Sequence, residues 1–191
     1  MSLEQRKANK AHKMKKRFIF RSIILILMLA AIVYALVANF NKDKSIYRAG
    51  DQAPDFKLEQ INANNELESI QLSELKGKGV MLNFWATYCK PCEAEMPFME
   101  KLYPEYKEKG IEIVAVNLDV NTLVVDRFID KYDLTFPILP DHKEQVMDLY
   151  KVGQLPSTFF IDENGVIVDK VDGALTLENL EKQFQKILPK K

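Results

Sequence analysis

Cys89 and Cys92 are the only cysteines in the 191 residues, with Lys90 and Pro91 between them. Two thiols at this spacing can ligate a metal, staple the chain, or cycle between dithiol and disulfide. A zinc site needs further ligands, and the histidines are His12 and His142. His12 lies ahead of a long apolar run and His142 far beyond it, so no metal site is expected. A four-residue ring removes little chain entropy and makes a poor staple. The favoured chemistry is a redox dithiol, which needs no cofactor beyond its own disulfide.

The thiols' surroundings give them distinct roles. Before them runs "GVMLNFWA", Gly79 to Ala86, an apolar stretch of strand length. After them Met96, Met99, Leu102, Tyr103 and Tyr106 recur at helical spacing. The pair therefore opens a helix, where unpaired backbone N–H groups and the macrodipole favour negative charge. Cys89 at that position, with Lys90 adding positive charge, is expected to have a lowered thiol pKa and to act as nucleophile. Cys92, one turn deeper, is the resolving thiol. Pro91 sets φ in the first turn, where its missing N–H costs little.

The elements that position the pair alternate strand and helix. Pro97 is expected to kink the helix after Cys92, and Gly110 to end it. "IEIVAVNL", Ile111 to Leu118, reads as a second buried strand. Asn121 or Thr122 caps a helix with Val124, Val125, Phe128, Ile129 and Tyr132 on its apolar face. "EQVMDLY" is a short helix, and "STFFID", "ENG" and "VIVDKV" form a hairpin. Thr176 caps a last helix carrying Leu177, Leu180, Phe184, Ile187 and Leu188. Ahead of the first strand, "DFKLEQI" and "LESIQL" flank "NANNE" and read as an additional β-hairpin. The order predicts an α/β fold with a mixed sheet flanked by helices.

Charge is distributed unevenly. The first 21 residues hold eight Lys or Arg and one Glu, hence +7, and the chain is neutral overall, so the rest carries −7. Ser22 to Ala38 contains no charged residue. With its flanks, the apolar stretch from Phe18 to Phe40 would make a helix about 34 Å long, enough to span a ~30 Å hydrocarbon core. Cleavage by a signal peptidase would need small residues at A-x-A positions, and "ALVANF" offers no clean match. The expectation is a signal-anchor with the basic tail, 1–17, in the cytoplasm. The span 18–40, a polar linker 41–50 and a single domain 51–191 outside the cytoplasm complete the layout.

"LNFWATYCKPCEAEMPFM" resembles the active-site stretch of the thioredoxin superfamily, and "YKVGQLPSTFFIDENGVIV" its second signature, which carries a cis-proline. "GDQAPDFKLEQI" with "LSELKGKGVMLNFWA" resembles the N-terminal extension of membrane-anchored thiol-disulfide oxidoreductases of the ResA, TlpA and CcmG type. Most is shared with the ResA-like group. Peroxiredoxins share the extension too. The resemblance implies a thioredoxin-like fold with Cys89 and Cys92 as the redox pair. It implies Pro156 beside them in a cis peptide bond, with Leu155 offering its backbone to an extended substrate. Tyr88 stands where many members have Trp and could line a substrate groove. Glu95 matches an acidic residue three after the second cysteine. That spacing places it on the face of Cys92, where burial would raise its pKa and suit proton exchange. Asn83 replaces the buried Asp of thioredoxin proper, and Lys90 the Glu or Gly common at its position.

The expected activity is a protein-disulfide reductase outside the cytoplasm. The resemblance implies substrates such as apocytochrome c and a membrane thiol reductant of the CcdA or DsbD kind as electron donor. Nucleic acid is not an expected partner, and the domain is expected to act as a monomer. The alternatives are a disulfide-forming oxidase, a peroxiredoxin and a peptide-binding module. A peroxiredoxin would need P-x-x-x-T-x-x-C, whereas Thr87 is two residues before Cys89 and no proline precedes it.

Overall fold

The computed structural model describes Arg17 and residues 20–34 and 47–190. Residues 20–34 form a helix, α1, whose apolar side chains, Leu25, Ile26 and Leu29 among them, are exposed. Among the described residues no helix is long and apolar enough to cross a membrane. The ends of the expected span, 18–19 and 35–40, lie outside the described residues, as do most of the basic tail and linker residues 41–46.

Residues 45–191 form a separate compact unit. Its centre is a five-stranded sheet in the order β5-β4-β3-β6-β7, built from β3 (Gly79–Trp85), β4 (Ile111–Asn117), β5 (Ile138–Pro140), β6 (Ser157–Ile161) and β7 (Ile167–Asp172). β3 pairs parallel with β4 and antiparallel with β6. β5 extends the parallel half and β7 the antiparallel half. This is the expected mixed sheet. β5 was not anticipated: it is three residues ending at Pro140, with Pro137 directly before it, too short to show a period.

The central strands are buried on both faces. Alternation on β3 sends Val80, Leu82 and Phe84 into one apolar cluster and Met81 and Trp85 into the other. The second cluster is covered by α2 (Lys90–Glu108), α3 (Thr122–Tyr132) and α5 (Leu177–Ile187). The first is covered by the N-terminal hairpin and the short α4 (Gln145–Leu149). Asn83 shares the row of Met81 and Trp85, so period two alone puts its amide under α2.

The helices start where capping chemistry predicts. Asn121 accepts from the Leu123 N–H, and Thr176 accepts from the Asn179 N–H. Val125, Phe128 and Ile129 are buried on α3, but Val124, expected beside them, is 37% exposed. α2 continues through Pro97 and through Pro104.

The extra hairpin is real but small: β1 (Lys57–Glu59) pairs with β2 (Ser69–Gln71). The "NANNE" stretch between them is not a free turn. Asn62 is fully buried and donates to the Leu134 and Phe136 carbonyls at 2.8 and 2.9 Å. Asn65 donates to the Thr135 carbonyl at 2.8 Å, and the Ile61 N–H to the Ile138 carbonyl at 2.9 Å. The loop thus satisfies the backbone that leads into β5.

Candidate active site

Cys89 is the N-cap of α2, and the Cys92 N–H points at its sulfur at 3.3 Å. The two are joined as a disulfide with Cα atoms 5.3 Å apart. Pro91 lies in the first turn, as expected. The pair is asymmetric: Cys92 is fully buried, while Cys89 is partly exposed. Only Cys89 can meet an incoming disulfide, and a helix N-terminus supports its thiolate.

The segment between β3 and the cysteines is held by a carboxylate the sequence reading did not single out. The Thr87 N–H and hydroxyl both donate to the buried Asp119, each at 2.7 Å. Asn117 Nδ2 donates to the same carboxylate at 2.8 Å. Asp119 lies two residues past the end of β4, so this contact ties the active-site loop to the neighbouring parallel strand. Its signal in the sequence is weak, because nothing in residues 83–97 points 32 positions onward.

Tyr88 is 70% exposed beside Cys89. The Leu155–Pro156 bond is cis. β6 begins at Ser157, paired with Phe84 near the end of β3, so Leu155 and Pro156 stand at the cysteine end of the sheet. Pro156 is buried, and Leu155 packs against the same cluster as Cys89.

Lys90, expected to add positive charge beside Cys89, also has an acidic partner. Its ammonium is 3.1 Å from Glu93 Oε2. Glu93 Oε1 in turn meets Lys131 Nζ at 2.8 Å and the Tyr132 hydroxyl at 2.6 Å. These bonds, led by that of Lys131, hold the Glu93 carboxyl down to about 2. The charge of Lys90 is thus partly spent on Glu93.

Glu95 has no exposed surface. One of its oxygens accepts from Asn83 Nδ2 and the other from the Leu175 N–H, each at 2.9 Å. Burial pushes its pKa from 4.5 up to about 7, against the pull of those two donors. No cation offsets the burial in that balance. Asn83 Nδ2 also meets Thr158 Oγ1 at 2.9 Å. The structure therefore brings Cys92, Glu95, Asn83 and Thr158 together under α2. A buried acid poised near neutrality can take or give the proton of a buried thiol one turn away. Among the described residues no group of three His, Cys, Asp or Glu side chains is placed to hold a metal ion.

Residues 49–170 match the AhpC/TSA family. The chain is 57% identical to the thiol-disulfide oxidoreductase ResA of Oceanobacillus iheyensis, covering 99% of this chain and 98% of that protein. It is 49% identical to the ResA of Halalkalibacterium halodurans over 92% of this chain and 97% of that one. Among solved structures, StoA from Bacillus subtilis superposes with a TM-score of 0.59 at 32% identity, over 68% of this chain and 96% of StoA. A structure described as a thiol:disulfide interchange protein DsbE from Chlorobium tepidum gives 0.67 at 35%, over 74% and 99%. With a thioredoxin-like fold, an exposed and a buried cysteine at a helix start, and full-length identity of this order, the chain belongs to the ResA family of thiol-disulfide oxidoreductases.

Proposed function

We propose that this oxidoreductase works outside the cytoplasm, anchored by an N-terminal membrane span, and reduces disulfides in protein substrates of the apocytochrome c kind. The observation that carries the dithiol chemistry is the partly exposed Cys89 at a helix start with a buried acid behind the buried Cys92, and the reducing direction rests on the resemblance to the ResA-like group. In the dithiol form, the Cys89 thiolate attacks a substrate disulfide. One substrate sulfur leaves as thiolate and takes a proton from solvent, and a mixed disulfide forms at Cys89. Cys92 then passes its proton to the Glu95 carboxylate and attacks the Cys89 sulfur. The second substrate sulfur leaves as a thiolate that solvent protonates, and the Cys89–Cys92 disulfide remains. Two electrons move to the substrate. A membrane thiol reductant of the CcdA or DsbD kind returns them.

Several features support this reading. Tyr88, directly before Cys89, is 70% exposed, so an aromatic side chain stands next to the accessible cysteine. The cis peptide at Leu155 sets backbone beside the cysteine end of the sheet, where an extended substrate can pair with it. The uncharged stretch behind a basic tail supports the anchor and its orientation. Apocytochrome c carries a C-x-x-C-H pair whose thiols must be reduced before haem attachment, which suits such a donor.

Trapping tests the proposal. Cys92→Ser expressed in cells should accumulate mixed disulfides at Cys89, with apocytochrome c among the captured proteins, whereas Cys89→Ser should capture nothing and lose disulfide reduction. A membrane-impermeant maleimide added to intact cells after mild reduction should label Cys89. Labelling only after lysis would place the domain on the other side, and capture of oxidised thiol donors alone would favour a disulfide-forming oxidase.

A further inference from the structure

We propose that the side-chain amide of Asn83 turns over each time Glu95 gains or loses a proton, which makes Asn83 a positioning residue for that proton. The argument begins with the two oxygens of Glu95. Oε1 faces Asn83 Nδ2, and Oε2 faces the Leu175 N–H. Both partners are donors. This arrangement suits a carboxylate and leaves a carboxylic acid nowhere to point its O–H. Yet burial without a counter-ion favours the acid form up to neutral pH. One partner must therefore change when the proton arrives.

The Leu175 N–H belongs to the backbone and cannot reverse. The amide can: rotation about Cβ–Cγ exchanges Oδ1 and Nδ2 in nearly the same space. As it stands, Nδ2 donates to Glu95 and to Thr158 Oγ1, and the buried Oδ1 has no partner. After rotation, Oδ1 accepts from the new Glu95 O–H and from the Thr158 hydroxyl, whose hydrogen swings round freely. Nδ2 then becomes the unpaired end. Each orientation leaves one polar atom unsatisfied, so neither dominates at all pH values. Protonation of Glu95 decides between them. The amide itself neither gains nor loses a proton.

The groups around Glu95 come from several elements. Cys92 lies one turn earlier on α2, Asn83 comes from β3 and the Leu175 N–H from the loop before α5, while Thr158, which meets Asn83, comes from β6. With the disulfide closed none of these carries charge, so the amide responds to Glu95 alone. The inference stands on the carboxyl geometry and holds whether or not Glu95 takes the proton of Cys92.

The test uses the full chain in detergent micelles with the disulfide closed and the asparagine side chains labelled with nitrogen-15. Above the Glu95 midpoint, followed through its carboxyl carbon shift, both Asn83 Nδ2 protons should be hydrogen-bonded, downfield and slow to exchange. As pH falls through that midpoint both should move upfield and exchange faster, with the same midpoint. Nδ2 protons that stay in place while Glu95 titrates would overturn the proposal. Asn83→Leu adds a functional reading. Loss of the donor to the carboxylate should raise the Glu95 midpoint by roughly one pH unit, and an unchanged midpoint would also overturn it. The wild-type titration stands even if that variant does not fold. Failure of the proton-transfer mechanism would appear instead in the reduction kinetics of Glu95→Gln, with the amide titration intact.

Discussion

Two glutamates are buried at opposite ends of the central strands, and their surroundings have opposite consequences. Glu112 is the second residue of β4, 1% exposed, and meets the Tyr103 hydroxyl at 2.5 Å and Lys78 Nζ at 3.3 Å. It has a counter-ion, and Lys78 reaches it from a half-exposed position. Burial and the neighbouring Glu112 raise the pKa of Tyr103, so that phenol remains a donor. Glu95, at the cysteine end, has two N–H donors and no cation. The first arrangement pairs the carboxylate with a cation and a phenol and joins α2 to the sheet. The second leaves the charge only marginally favoured, so a proton can come and go. Burial of a carboxylate is common to both, and the counter-ion separates structure from chemistry.

The largest expected effect lies at Glu95. Its carboxyl binds a proton more tightly folded, at about 7, than in the unfolded chain, near 4.5. A raised acid pKa means that the native state loses stability as pH rises across that window. Glu95→Gln removes the dependence. The oxidised variant should exceed the wild type by up to about 3 kcal/mol above pH 7, with the difference vanishing below about pH 4.5. Chemical denaturation at pH 4.5 and pH 8 measures it. The same variant should lose the inflection near pH 7 in the rate of disulfide reduction. A stability difference that does not vary with pH would erase the contrast with Glu112.

Glu112→Ala is the converse experiment. It leaves the buried Tyr103 hydroxyl without its carboxylate acceptor and should cost about 2 kcal/mol. The alkylation rate of reduced Cys89 should be unchanged. A slower or faster thiol in this variant would show that the two ends are coupled.

The smallest effect concerns Glu93, an acid with several partners at the surface. Glu93→Gln frees Lys90, whose charge then acts on Cys89. Alkylation of Cys89 at neutral pH and low salt should accelerate about 2- to 3-fold, and the gain should fade toward 1 M salt. An acceleration that persists at high salt would point to a change in the helix start rather than to charge.

Much of this site was legible in the sequence because its logic is local. Strand length before the cysteines and helical spacing after them placed Cys89 at a helix start, and a three-residue offset put Glu95 on the face of Cys92. Period two on β3 also carried Asn83 to that face, although its amide registered only as a missing acid. The rest depends on partners distant in the chain. Leu175 is 80 residues from Glu95, and Thr158 is 75 from Asn83; no spacing rule reaches that far. The partners of Lys90 were only half legible, for a nearer reason. An i,i+3 acid was visible in Glu93, but Lys131 and Tyr132, which hold that acid in place, come from α3. β5 escaped because three residues show no period, and the asparagines of the hairpin loop escaped because they are also ordinary turn formers.

Those asparagines bear on the order in which the domain can assemble. Their bonds to the segment before β5 join residues 70 or more positions apart. Synthesis delivers the N-terminal part first, so Asn62 leaves the ribosome long before the carbonyls of Leu134 and Phe136 exist. Until then its amide stays hydrated, and an open polar loop gives a half-made chain little to stick to. When residues 134–138 emerge, the clip closes over a loop whose entropy has to be surrendered in a single late step. The asparagine loop is a latch that waits for the second half of the chain.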